Sequence, residues 1–211
     1  MMKTIYSAVK FLLFGLVIFL LSCEKGGGNN GGGSTNATYY YKATIGGVNY
    51  LQEVTPTNGY ASRSAAVGGD DVALSASIDL KSNSTPVNLT SLKITKGILH
   101  KYLTSTNAQF NAFFIPGNYH YTTGPEFDPF QNADGVYISW VDKQGNLWTT
   151  IDGSGNQTGS SFNIVSAVDS AGAATHYIKA KMEFNCKLYK KGTGEMVQLT
   201  NGEMVGLFGK H

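Results

Sequence analysis

The stretch HYIKAKMEFNCKLYKK, from His176 to Lys191, alternates in character with a period of two. Ile178, Ala180, Met182, Phe184, Cys186 and Leu188 fall on one face; Lys179, Lys181, Glu183, Asn185, Lys187 and Tyr189 fall on the other. Successive side chains of a strand point to opposite sides, so this run is a long strand with one buried and one wet face. It commits the chain to a sheet that covers a core. Within that stripe Cys186 reads as a small apolar filler, not as a nucleophile.

Other segments share the pattern. DVALSASIDL turns Val72, Leu74, Ala76, Ile78 and Leu80 inward. YYYKATIGGVNYLQ predicts a hairpin turning at Gly46-Gly47, a dipeptide that accepts the positive φ of a type I′ turn. SSFNIVSAVDSAGAATHYI predicts another, with its turn near Asp169–Ala173, and EMVQLTNGEMVGLF predicts two short strands around Asn201-Gly202. STNAQFNAFF has the length of a short helix, and TTGPEFDPFQNADG reads as a long loop. Short alternating strands with recurring turn signals predict an all-β fold, a single antiparallel β-sandwich or barrel over residues 39–211.

The amino terminus differs. Lys3 and Lys10 precede an apolar run of eleven residues, Phe11 to Leu21, followed by Ser22 and Cys23. Crossing a bilayer takes about 20 apolar residues, so the run fits the apolar region of an export signal, residues 1–22. Leu20-Leu21-Ser22-Cys23 resembles the lipobox of bacterial lipoproteins. That resemblance implies removal of residues 1–22 and acylation of Cys23, with palmitate-type chains holding the mature protein in the membrane. Each buried methylene adds about 0.8 kcal/mol, and more than one chain is needed for a firm anchor. Glu24 to Thr38 holds six glycines and three asparagines, too little apolar surface to repay ordering, so residues 23–38 read as a lipidated tether.

Composition narrows the function. The chain has 16 basic and 14 acidic residues; Lys3 and Lys10 lie in the leader, so the mature protein balances at 14 of each, with Arg63 its single arginine. Nucleic-acid binding calls for a clustered basic face, and none is legible. Of two cysteines one is Cys23, so no disulfide forms within the chain and the domain rests on its hydrophobic core.

YKATIGGVNY near the start, PGNYHYTTG midway and the closing KMEFNCKLYKKGTGEMVQLTNGEMVGLF together resemble a group of small Bacteroidota lipoproteins with β-sandwich or calycin-like domains. The resemblance implies a fold and an address at the outer membrane, on either its periplasmic face or the cell surface, and carries no catalytic residue. Asp169-Ser170-Ala171 is similar to the Asp-Ser/Thr-aliphatic motif that Bacteroidota O-glycosylate on exported proteins, which makes Ser170 a candidate glycosylation site.

Searching for chemistry returns little. His100, His120, His176 and His211 lack a second ligand at close spacing. Asp152, Ser154 and Asn156 start like a calcium loop, but Asn163 stands where the bidentate glutamate belongs. Glu126 and Asp128 share a loop as a bare carboxylate pair. No metal and no cofactor is expected. In GVYISWVDKQGNLWTTI, a hairpin turning at Gln144-Gly145 pairs residue 140 with 149 and puts Trp148 beside Tyr137 outside the core, an aromatic patch suited to sugar stacking. A one-residue slip would instead set Trp148 against Trp140. The reading is a non-catalytic, lipid-anchored envelope protein that binds a glycan or an envelope partner. Its alternatives are a lipocalin-like carrier of a small apolar ligand, then a hydrolase.

Overall fold

A computed structural model describes residues 39–54, 60–68, 71–79, 90–122, 135–169 and 176–210. The domain is all-β and mostly antiparallel. Its first hairpin joins β1 (Tyr39–Ile45) to β2 (Val48–Val54), with Ile45 opposite Val48 and Gly46 and Gly47 at φ 57° and 80°. β3 (Tyr60–Gly68), β4 (Asp71–Asp79) and β5 (Ser91–Leu99) form a meander. A 3-10 turn at Tyr102–Thr104 precedes α1 (Asn107–Ala112). A capping box starts α1: the Gln109 N–H donates to Thr106 Oγ1 at 3.2 Å, and the Thr106 N–H donates to Gln109 Oε1 at 2.8 Å. The remaining strands are β6 (Gly117–Tyr119), β7 (Val136–Val141), β8 (Leu147–Thr149), β9 (Ser161–Asp169), β10 (His176–Lys190) and β11 (Met196–Lys210).

The strands lie in the order β2-β1-β11-β10-β8-β7-β5-β4-β3, with β9 added to β10 and β6 to β9. The sheet is open rather than closed into a barrel, and it folds over so that Ala76 of β4 lies against Gly206 of β11. The enclosed core is aromatic. Tyr41, Phe110, Phe114, Phe162, Phe184 and Phe208 are fully buried beside Leu74, Leu92, Ile94 and Ile138, each contributing about 1.5–3 kcal/mol on burial. All six apolar residues expected on one face of β10 are buried.

β10 and β11, at 15 residues each, are the longest of the described strands. The expected break at Asn201-Gly202 is a bulge inside one continuous strand, not a turn between two. Register slips there against both neighbours, between Phe184 and Cys186 of β10 and between Lys42 and Thr44 of β1. Asn201 adopts φ 52°, and a Cβ at Gly202 would sit 2.4 Å from the Phe184 ring and 2.6 Å from its carbonyl oxygen. Asn-Gly suits a hairpin turn and a bulge equally, because both need a left-handed residue.

The edge of β10 away from β11 is shared. β9 pairs with it as far as Asn185, and β8 takes over at Tyr189. Between them the backbone of Lys187 has no strand beside it, and Gln157 fills the gap. Its side-chain Oε1 accepts from the Lys187 N–H at 3.0 Å, and its Nε2 donates to the Lys187 and Thr150 carbonyls at 2.7 and 2.8 Å. One side-chain amide stands in for a strand residue. Nearby the Tyr121 hydroxyl lies 3.2 Å from the carbonyls of both Ser161 and Asn185.

Two outcomes follow for urea unfolding. Gly202→Ala, which drives a methyl into Phe184, is expected to cost about 3 kcal/mol, read as a lowered midpoint. Gln157→Glu faces two carbonyls with an acceptor and is expected to cost about 2–3 kcal/mol at neutral pH. The two carbonyls favour the protonated form of that carboxyl in the fold, so the variant's stability recovers as pH falls toward about 4 and is lost as pH rises.

Candidate functional site

The outward face of β10, β11 and β1 carries Lys181, Glu183 and Asn185, then Glu203, then Tyr40 and Lys42. Glu183 stands directly opposite Glu203, and Glu203 directly opposite Lys42. At the bulge this face opens into a hollow of about 350 Å³, walled by Lys42, Glu183, Asn185, Asn201 and Glu203 with Phe184 and Gly202 beneath. Asn185 positions the bulge: its Oδ1 accepts the Asn201 N–H at 2.9 Å, and its Nδ2 donates to Ser161 Oγ at 3.2 Å.

Two carboxylates facing across strands repel. Three donors around Glu203 offset this. Lys42 Nζ lies 3.3 Å and Lys181 Nζ 3.4 Å from Oε2, and the Tyr40 hydroxyl donates to Oε1. Burial pushes the Glu203 carboxyl up, but Tyr40, Lys42 and Lys181 together outweigh it and hold the group below the ordinary range. Burial, then the bond to Glu203, pushes Tyr40 up to about 12. Glu203 is thus a fixed anion that accepts hydrogen bonds. A general acid for glycoside cleavage needs the opposite shift.

The expected aromatic patch does not form. Trp140 pairs with Trp148 and Val141 with Leu147, the one-residue slip, so Trp148 packs on Trp140 with ring centroids 6.3 Å apart. Tyr137 lies on the other side of the strand, and both Tyr137 and Trp148 are buried. The cause is Asp142. Its carboxylate accepts from the Gln144 and Asn146 N–H groups, from Asn146 Nδ2 and, at 2.9 Å, from the Trp148 indole N–H. Burial raises the Asp142 carboxyl, yet these bonds leave it lowered overall. They close a three-residue loop, Lys143–Gly145, with Gly145 at φ 81°, and an odd loop shifts the pairing by one. Asp-x-x-Gly-Asn was the sequence signal for it.

Cys186 is fully buried, and burial pushes its thiol up to about 12, as befits core filler. His100 meets Asp71 at 3.0 Å, and His176 lies separately between Asp169 and Asn111. Asp152, Ser154 and Asn156 serve turns: they accept from Thr149 Oγ1 at 2.7 Å, the Asn156 N–H at 3.4 Å and the Thr158 N–H at 2.9 Å. Among the described residues no three His, Cys, Asp or Glu side chains converge, and no helix is long and apolar enough to cross a membrane. Cys23, Glu126, Asp128, Ser170 and Ala171 lie outside the described residues. No protein-family model matches the chain, and no curated protein or solved structure is detectably similar to it.

The hollow was missed because it needs three strands in register and a bulge. Its electrostatics yield a test. The stability that Glu203 gains from its donors is present above the ordinary carboxylate value of 4.5 and lost as pH falls through the lowered one. The difference in urea midpoint between the native chain and Glu203→Gln is expected to be constant near neutrality and to shrink below about pH 4.5.

Proposed function

We propose that the protein is a lipid-anchored component of the cell envelope, held by acyl chains on Cys23 at the outer membrane, whose β domain is a non-catalytic binding module for a glycan or another envelope protein. The observation that carries the binding role is the outward hollow at the bulge. It offers the acceptors of Glu183 and Glu203, the amide of Asn201 and the ammonium of Lys42 around one depression. Such a mixed set of donors and acceptors suits a hydroxyl-rich ligand, which needs both kinds of partner at once.

The interior argues for surface binding over carriage. The sheet is open, and large side chains fill the core, whereas a lipocalin-like carrier surrounds an apolar cavity. The burial of Trp148 moves the binding surface from the expected aromatic patch to the polar hollow. For the anchor, the support remains the sequence Leu20-Leu21-Ser22-Cys23 and the glycine-rich segment behind it.

Full-length protein in membranes and its Cys23→Ala variant test the anchor: the native form is expected in the detergent phase with an acylated amino-terminal peptide, the variant in the aqueous phase. Protease treatment of intact and lysed cells then tells the cell surface from the periplasmic face. For binding, a glycan array is expected to return ligands whose affinity falls about tenfold in Glu183→Ala, the loss of one to two hydrogen bonds. Glu183 is 52 % exposed, so the fold survives the change, and unaltered binding would remove the hollow from consideration.

A further inference from the structure

The described domain exposes few large apolar side chains, and four of them gather at one end. Leu103 is 68 % exposed, Val168 60 %, Ile115 59 % and Val165 40 %. Val165 and Val168 lie on β9. The chain from α1 to β6 runs beside them, since Asn111 Nδ2 donates to Asp169 Oδ2 at 3.1 Å and Gly117 pairs with Ile164. Ile115 sits between these two points. Leu103 belongs to the 3-10 turn that reaches the end of β11, where the Tyr102 hydroxyl approaches the Gly209 carbonyl at 3.4 Å and Lys210 Nζ donates to the Ser105 carbonyl.

This is also the end at which the domain starts. Lys179 pairs with Val168 on one side and Leu207 on the other, and its Nζ lies 5.5 Å from the ring centroid of Tyr39, the first residue of β1. Of the other three exposed large apolar residues among those described, Val48 and Met196 belong to the opposite end with the Gly46-Gly47 turn, and Leu51 lies within β2 opposite Lys42. Residues 24–38 span at most about 50 Å when fully drawn out, so an acylated Cys23 keeps the Tyr39 end close to the bilayer at a high effective concentration.

We propose that the rim formed by Leu103, Ile115, Val165 and Val168 docks on the lipid surface itself, with Lys101 and Lys179 beside it facing anionic headgroups. The inference rests on the lipid-anchor reading. Isolated aliphatic side chains at an interface bind weakly, but a tether converts weak contact into a preferred orientation. Docking turns the β9 end of the domain to the membrane and leaves the hollow, further along β10 and β11, directed sideways to solvent.

Site-specific fluorescence tests it, since the buried Cys186 leaves an introduced cysteine as the labelled one. Full mature protein carrying Val168→Cys or Met196→Cys, with Cys23 replaced by an amino-terminal histidine tag, is held on vesicles of phosphatidylethanolamine, phosphatidylglycerol and nickel-chelating lipid doped with nitroxide lipid. The label at position 168 is expected to be quenched about threefold or more over that at 196, and the added changes Leu103→Ser and Ile115→Ser to reduce the difference by about half or more. Equal quenching, or stronger quenching at 196, overturns the docking. Because the tag replaces the acyl chains, that result is independent of the anchor, which fails separately if native Cys23 carries no acyl mass.

Discussion

Phe184 lies against a backbone that has no side chain, and the fold is arranged around that contact. Its ring stacks on Phe162 of β9 with centroids 6.0 Å apart and occupies the place of a Cβ at Gly202 of β11. Three adjacent strands thereby meet over one aromatic pair. The bulge that brings Gly202 there bends β11 and slips its register against β1 and β10 together. On the core side the result is close packing. On the solvent side the same irregularity opens the hollow, so the site and the corner of the sheet have one cause.

How far the sequence speaks depends on whether a feature is local. The two faces of β10 were legible because a period of two needs nothing beyond the run itself, and every expected inward residue is buried. The Gly46-Gly47 turn and the short helix within STNAQFNAFF were similarly local. Trp148 was misplaced because loop parity decides its face, and parity came from the four donors around Asp142. Asn201-Gly202 was misread because one dipeptide serves two structures. Gln157 offered no signal: replacing a strand residue by a side-chain amide has meaning only once β8 and β9 diverge from β10.

Two polar groups at the heart of the outer face are held in place. Glu203 answers to Tyr40, Lys42 and Lys181, and Asn185 to Asn201 and Ser161. Groups fixed in advance lose little freedom when a ligand arrives, which favours selectivity from a shallow surface. The proposed sideways orientation of the hollow would place that surface within reach of neighbours in the same membrane.

The pairing of β1 with β11 also sets the order in which the domain can be completed. The first strand of the sheet hydrogen-bonds to the last, from Tyr40 with Val205 to Ile45 with Leu199. Until residues near 210 are available, β1 has only its hairpin partner β2 and no core to lie on. Pairing across so long a stretch of chain slows folding, because the loop between the two strands must close before their contacts can stabilise it. β11 is in this sense the latch of the sheet: it comes last among the described strands, and only with it does β1 gain a second neighbour.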